Sequence, residues 1–97
     1  MNATSRRVPL TARATVPKHV LIQEVAGQAA ILDLESDQYF GLDDVATEVW
    51  RAVTNGGTVA DGIESMAEIY EVERPRLQED VVALVTKLRN LGLLEIR

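Results

Sequence analysis

Residues 19–42, "HVLIQEVAGQAAILDLESDQYFGL", decide the fold. "HVLIQEV" (19–25) and "AAILDL" (29–34) are short apolar runs of strand length, joined by "AGQ", whose glycine suits a tight hairpin turn. A third run, "QYFGL" (38–42), follows after "ESD". Three such runs in succession predict an antiparallel meander whose middle strand is central, so the first and third strands are edges.

Downstream the periodicity becomes helical. Asp43 stands where an N-cap is needed, and Val45, Val49, Trp50 and Val53 recur at helical spacing until "NGG" at 55–57 ends the pattern. Thr58 caps a second helix carrying Val59, Ile63, Met66, Ala67 and Tyr70, in spite of Gly62. A third begins near Pro75, a residue suited to a first helical turn, and runs into the "LGLL" that closes at Leu94. The predicted fold class is therefore α+β, a three-stranded antiparallel sheet followed by three α-helices.

On a helical wheel Leu77, Val81, Val82, Leu84, Val85, Leu88 and Leu91 spread over nearly half the circumference, wider than the stripe of roughly 100° that one packing surface needs. Such an arc faces two things. Either both are core, or one flank of the helix lines a groove.

The 97 residues, 46% hydrophobic, suffice for one domain with its own core. With no cysteine, disulfides, thiolate metal sites and cysteine nucleophiles are excluded, in keeping with a cytoplasmic location. No run approaches the roughly 20 apolar residues of a membrane span. Residues 1–17, with three arginines and no acid, read as a flexible lead-in, and 18–97 as the domain proper. The net charge of −5 is uneven: +3 over 1–17, −10 over 18–73 and +2 over 74–97. An acidic body is a poor partner for nucleic acid.

Catalytic and metal motifs fail one by one. His19, the only histidine, has no partner within the sequence pattern to orient it as a base. Asp33, Glu35 and Asp37 alternate like calcium ligands, but Gln38 stands where the loop requires glycine and Asp44 where a longer glutamate is required. Asp43/Asp44 and Glu79/Asp80 are adjacent, and helical neighbours do not converge on one proton. Trp50 lies on an apolar helix face, a core position rather than a stacking platform. No enzyme is expected, and no cofactor.

The third strand is unusual for an edge. Edges are normally blunted by charge or proline, and "QYFGL" contains neither. Gly41 leaves room for another backbone to approach, so the strand invites a peptide to pair alongside it.

From residue 19 to 96 the chain resembles the PqqD-like proteins, recognition elements for ribosomally made, post-translationally modified peptides. The matching features are "YFGL" closing the sheet, Trp50 in the next helix, "GTV" at 57–59, "IY" at 69–70, and "DV" at 80–81 leading to "GLL" at 92–94. Asp43 replaces the family's usual asparagine and caps as well; the arginine-bearing N-terminus has no counterpart. The resemblance implies a winged-helix-like fold that binds the leader segment of a precursor peptide. The leader would add as a strand along Asp37, Gln38, Tyr39, Phe40, Gly41 and Leu42. Its side chains would enter a groove lined by Val81, Val82, Leu84, Val85, Leu88 and Arg89. Among members, the freestanding lasso-peptide type is most similar, which implies a separate leader peptidase and a cyclase as partners. The alternatives are a chaperone for another modified-peptide pathway and a winged-helix nucleic-acid regulator, whose basic face would need Arg74, Arg76, Lys87 and Arg89.

Overall fold

A computed structural model describes residues 6–97. The element order is β1 (Ala14–Thr15), β2 (Val20–Val25), β3 (Gln28–Asp33), β4 (Gln38–Gly41), α1 (Asp44–Val53), α2 (Val59–Ala67), α3 (Arg74–Asn90) and β5 (Glu95–Ile96). Strands β2, β3 and β4 form the expected meander in that spatial order. The chain is α+β, with the three helices following the sheet.

The β2–β3 hairpin turns through Ala26 and Gly27, both at positive φ (55° and 84°). That two-residue geometry matches the right-handed twist of the strands. Register places Ile22, Ile31 and Phe40 side by side, and likewise Leu21, Leu32 and Tyr39. Because side chains alternate, the first trio faces the helices and the second faces away. Ile31 is fully buried, and Ile22 and Phe40 pack against the core.

Helix α1 starts where its cap predicts: the Asp43 carboxylate accepts from the Ala46 amide at 2.8 Å. It is tied to the sheet by Thr47, which is fully buried. The Thr47 Oγ1 accepts from the Ala29 amide at 2.9 Å and donates to the Leu42 carbonyl at 3.4 Å. Helix α2 opens with a capping box between Thr58 and Asp61. Gly62 now has a reason to be there. A Cβ at this position would lie 3.1 Å from the Ala52 carbonyl oxygen and from Val53 Cγ1, so its absence lets α1 and α2 approach closely. Helix α3 has Pro75 in its first turn and ends at Asn90 rather than running to Leu94. Gly92, at φ 78°, turns the chain so that Leu93 and Leu94 bury themselves and β5 follows.

The lead-in expected over residues 1–17 does not hang free where it is described; residues 1–5 lie outside the described range. Val8, Ala12 and Ala14 are core residues. The Leu10 and Ala12 carbonyls accept from the first turn of α2, through the Ala60 and Val59 amides. Strand β1 pairs with β5, and Arg13 and Arg97 exchange both backbone hydrogen bonds. Small apolar residues spaced through a polar-looking segment gave no periodic signal, yet Val8, Ala12 and Ala14 are buried where the backbone is bonded to α3, α2 and β5 in turn. Residues 6–15 are thus a strap across the helical layer.

Candidate peptide-binding edge

Hydrogen bonding across β3 fixes which groups of β4 are free. The Leu42 amide donates to the Ala29 carbonyl at 2.8 Å, so the alternating antiparallel pattern makes Phe40/Ile31 and Gln38/Asp33 the bonded pairs. The amide and carbonyl groups of Tyr39 and Gly41 therefore point away from the sheet. No backbone bond from the described residues reaches them. Tyr39 is 65% exposed, and nothing lies within 4 Å of where a Gly41 Cβ would stand. Asp37 holds the tight turn into the strand at φ 57°, a conformation that aspartate tolerates.

The approach to this edge is shaped by the β3–β4 connection. Asp33 accepts from the Glu35 amide and the Ser36 hydroxyl. Partial desolvation pushes its carboxyl up, but those hydrogen bonds and nearby His19 outweigh it, and the net shift is downward. His19, without a visible partner in the sequence, lies 3.9 Å from Asp33 and 3.8 Å from Glu35, with Nε2 3.2 Å from the Gly92 carbonyl oxygen. These contacts join the base of the sheet to the end of α3; Asp33 is occupied as a turn-former.

The expected groove residues on α3 divide sharply. Val81, Val82, Val85 and Leu88 are core, at most 5% exposed, and do not line an open groove. The wide apolar arc has its explanation in the strap. Arg7 pairs with Glu79 at 2.6 Å, the Val8 amide donates to Thr86 Oγ1 at 3.1 Å, and Arg89 donates to the Arg6 carbonyl. Helical spacing puts Val82 on that same flank, so the second surface the arc faces is the chain's own N-terminal segment. On the opposite flank Leu84 is partly buried against the core and Leu91 is 43% exposed. Phe40, on the helix-facing side of β4, is likewise only partly buried. Leu42, the last residue of the expected strand, is 9% exposed and belongs to the core.

A basic recognition face does not assemble. Arg74 pairs with Glu64, Arg89 is engaged with the strap and Asn90, and Asp80 lies on the same helix. No helix among the described residues is long and apolar enough to cross a membrane. No buried side-chain polar atom among them lacks a partner.

No curated protein matches the chain. Among solved structures, one described as TbiB1 in complex with the TbiA(beta) leader peptide superposes with a TM-score of 0.79 at 26% identity, covering 84% of this chain and 94% of that one. A lasso peptide synthetase B1 complexed with the leader peptide superposes with a TM-score of 0.76 at 27% identity, covering 88% and 98%. Residues 28–94, from the second strand of the meander to the turn after α3, match the family described as coenzyme PQQ synthesis protein D (PqqD). The chain belongs to the PqqD family.

Proposed function

We propose that this protein is a non-catalytic adaptor that binds the leader segment of a ribosomally synthesised precursor peptide by adding it as a strand to β4. The observation that carries the proposal is the pair of outward-facing backbone units at Tyr39 and Gly41, unpaired among the described residues on an edge without proline. An antiparallel peptide strand there would exchange hydrogen bonds with both residues, each worth roughly 0.5–1.5 kcal/mol net. Its alternate side chains on the helix-facing side would pack beside Phe40, which is only partly buried, and Leu84, the one apolar residue of the expected groove on α3 that is not buried, is the side chain proposed to meet them.

Two solved structures at 26% and 27% identity are described as leader-peptide complexes, which supports the same ligand class for this chain. The lasso-peptide pathway is the favoured setting, with a separate leader peptidase and a cyclase carrying out the chemistry. The adaptor's contribution is to raise the effective concentration of the peptide at those enzymes. Titration of the purified chain with fluorescently labelled leader peptides of lasso-peptide precursors tests the reading. Saturable one-to-one binding that Phe40→Asp weakens without loss of fold is expected. No binding by the folded wild-type chain would refute it.

A further inference from the structure

Strand β4 carries no charge of its own, yet carboxylates stand at both of its ends. Residues 18–44 hold six acidic residues and one basic. Two of the six are committed elsewhere: Glu24 pairs with Arg51, and Asp33 holds the turn through Glu35 and Ser36. A third, Glu35, lies 3.8 Å from His19. The remaining three are exposed and flank the strand, Asp37 before it and Asp43 and Asp44 after it. No ion pair among the described residues includes any of them.

Local structure does not require these charges. Asp37 is at φ 57°, which asparagine tolerates as well, and Asp43 caps α1, a role that asparagine fills equally. The positive end of the α1 dipole, about half a charge, offsets only part of the two carboxylates beside it. Each end of the open edge therefore keeps negative charge, while the stretch between, with the outward backbone of Tyr39 and Gly41, is neutral. At roughly 3.3 Å per residue, the step from Asp37 to Asp43 spans about 20 Å. The Debye length at physiological salt is about 8 Å, so the two ends act separately and the middle of the edge feels neither strongly.

We propose that the two ends of β4 select leader peptides by charge, holding those whose paired segment carries a lysine or arginine at each end, about six residues apart. The inference rests on the peptide-binding reading above. Because the peptide runs antiparallel to β4, its C-terminal cation meets Asp37 and its N-terminal cation meets Asp43 and Asp44. Backbone pairing holds any extended chain of suitable shape. The carboxylates decide which sequence is held, and in which register. Exposed ion pairs are individually weak, about 1.5- to 5-fold in affinity each, so reversing one peptide charge changes Kd by about 2- to 25-fold.

The test uses a fluorescein-labelled leader peptide of a lasso-peptide precursor, with each position changed singly to lysine and to glutamate. Fluorescence anisotropy gives Kd for the wild type, for Asp37→Asn and for the double variant Asp43→Asn with Asp44→Asn; circular dichroism verifies that both variants fold. In the wild type, lysine should bind more tightly than glutamate by about 2- to 25-fold at two places about six residues apart, with no preference between them. Asp37→Asn should remove the preference at the C-terminal place alone, and the double variant at the N-terminal place alone. Raising salt from about 50 to about 500 mM should shrink both. A leader that binds the wild type with no lysine preference at either place would overturn the charge selection and leave strand addition intact. So would a preference that both variants retain, or that each loses at the opposite place. Absence of leader binding by the wild type would overturn both readings.

Discussion

Replacing Gly41 by proline tests the parity of the β4 edge directly. The alternating bond pattern turns the Gly41 N–H outward, so in the free protein this amide faces solvent and proline removes no ladder bond. Phe40, the preceding residue, is already in a strand, the conformation a following proline requires. Stability should therefore change little. With peptide bound, the same change deletes one hydrogen bond worth roughly 0.5–1.5 kcal/mol and puts a ring where the partner carbonyl should sit, for a total of about 1–3 kcal/mol. At 1.4 kcal/mol per factor of ten, the leader Kd should rise by about 5- to 150-fold. Gly41→Ala is the matched control, because a Cβ there meets nothing within 4 Å and the amide is retained. Fluorescence anisotropy with labelled leader, alongside thermal melts, separates binding from folding. A folded Gly41→Pro that binds the leader like wild type would refute strand addition at β4.

Thr47→Val keeps the shape of the side chain but leaves the Ala29 amide without its acceptor inside the core. A loss of about 1–3 kcal/mol in guanidinium titrations, with an unchanged slope, is expected. Ala26→Asn should stabilise the hairpin by about 0.5–1 kcal/mol, because Ala26 occupies a left-handed conformation that asparagine tolerates; differential scanning calorimetry should show Tm higher by about 2–8 °C. Hydrogen bonds from Arg51 hold the Glu24 carboxyl below its usual range, and those from Thr58 hold Asp61 below its own; Asp33 is lowered as described. In each case the unfolded chain binds the proton more tightly. The stability these groups contribute is therefore complete above the ordinary carboxylate range of about 4 and is lost as pH falls through the lower folded-state values. Thermal melts from pH 6 to pH 2.5 should show a declining Tm, and Asp61→Asn should flatten part of that decline.

The meander and the first two helices were legible because their signals are local: alternation, a glycine turn, Asp43 and Thr58 as caps. That β4 is an edge strand was legible for the same reason, since an unblunted edge is visible in the composition of one short run. The groove was not. Val81, Val82, Val85 and Leu88 lie on an arc too wide for one surface, and a wheel cannot say whether the second surface is ligand or protein. Here it is Val8 and its neighbours, which approach α3 from more than seventy positions away in the chain. Consequently Val85→Asp, attractive as a groove probe from the sequence, is a core substitution at a position with no exposed surface, and unfolding is its expected result. Strand β5 escaped notice for a related reason: two residues have no periodicity, and only the partner strand reveals them.

The clasp between Arg13 and Arg97 has a mechanical corollary. The strap is fastened at two places, to α3 through Val8 and Thr86 and to the C-terminal strand through the paired backbones of Arg13 and Arg97. Cutting or displacing it would disturb the helical layer through both fastenings at once, whereas β4 makes no backbone hydrogen bond to it among the described residues.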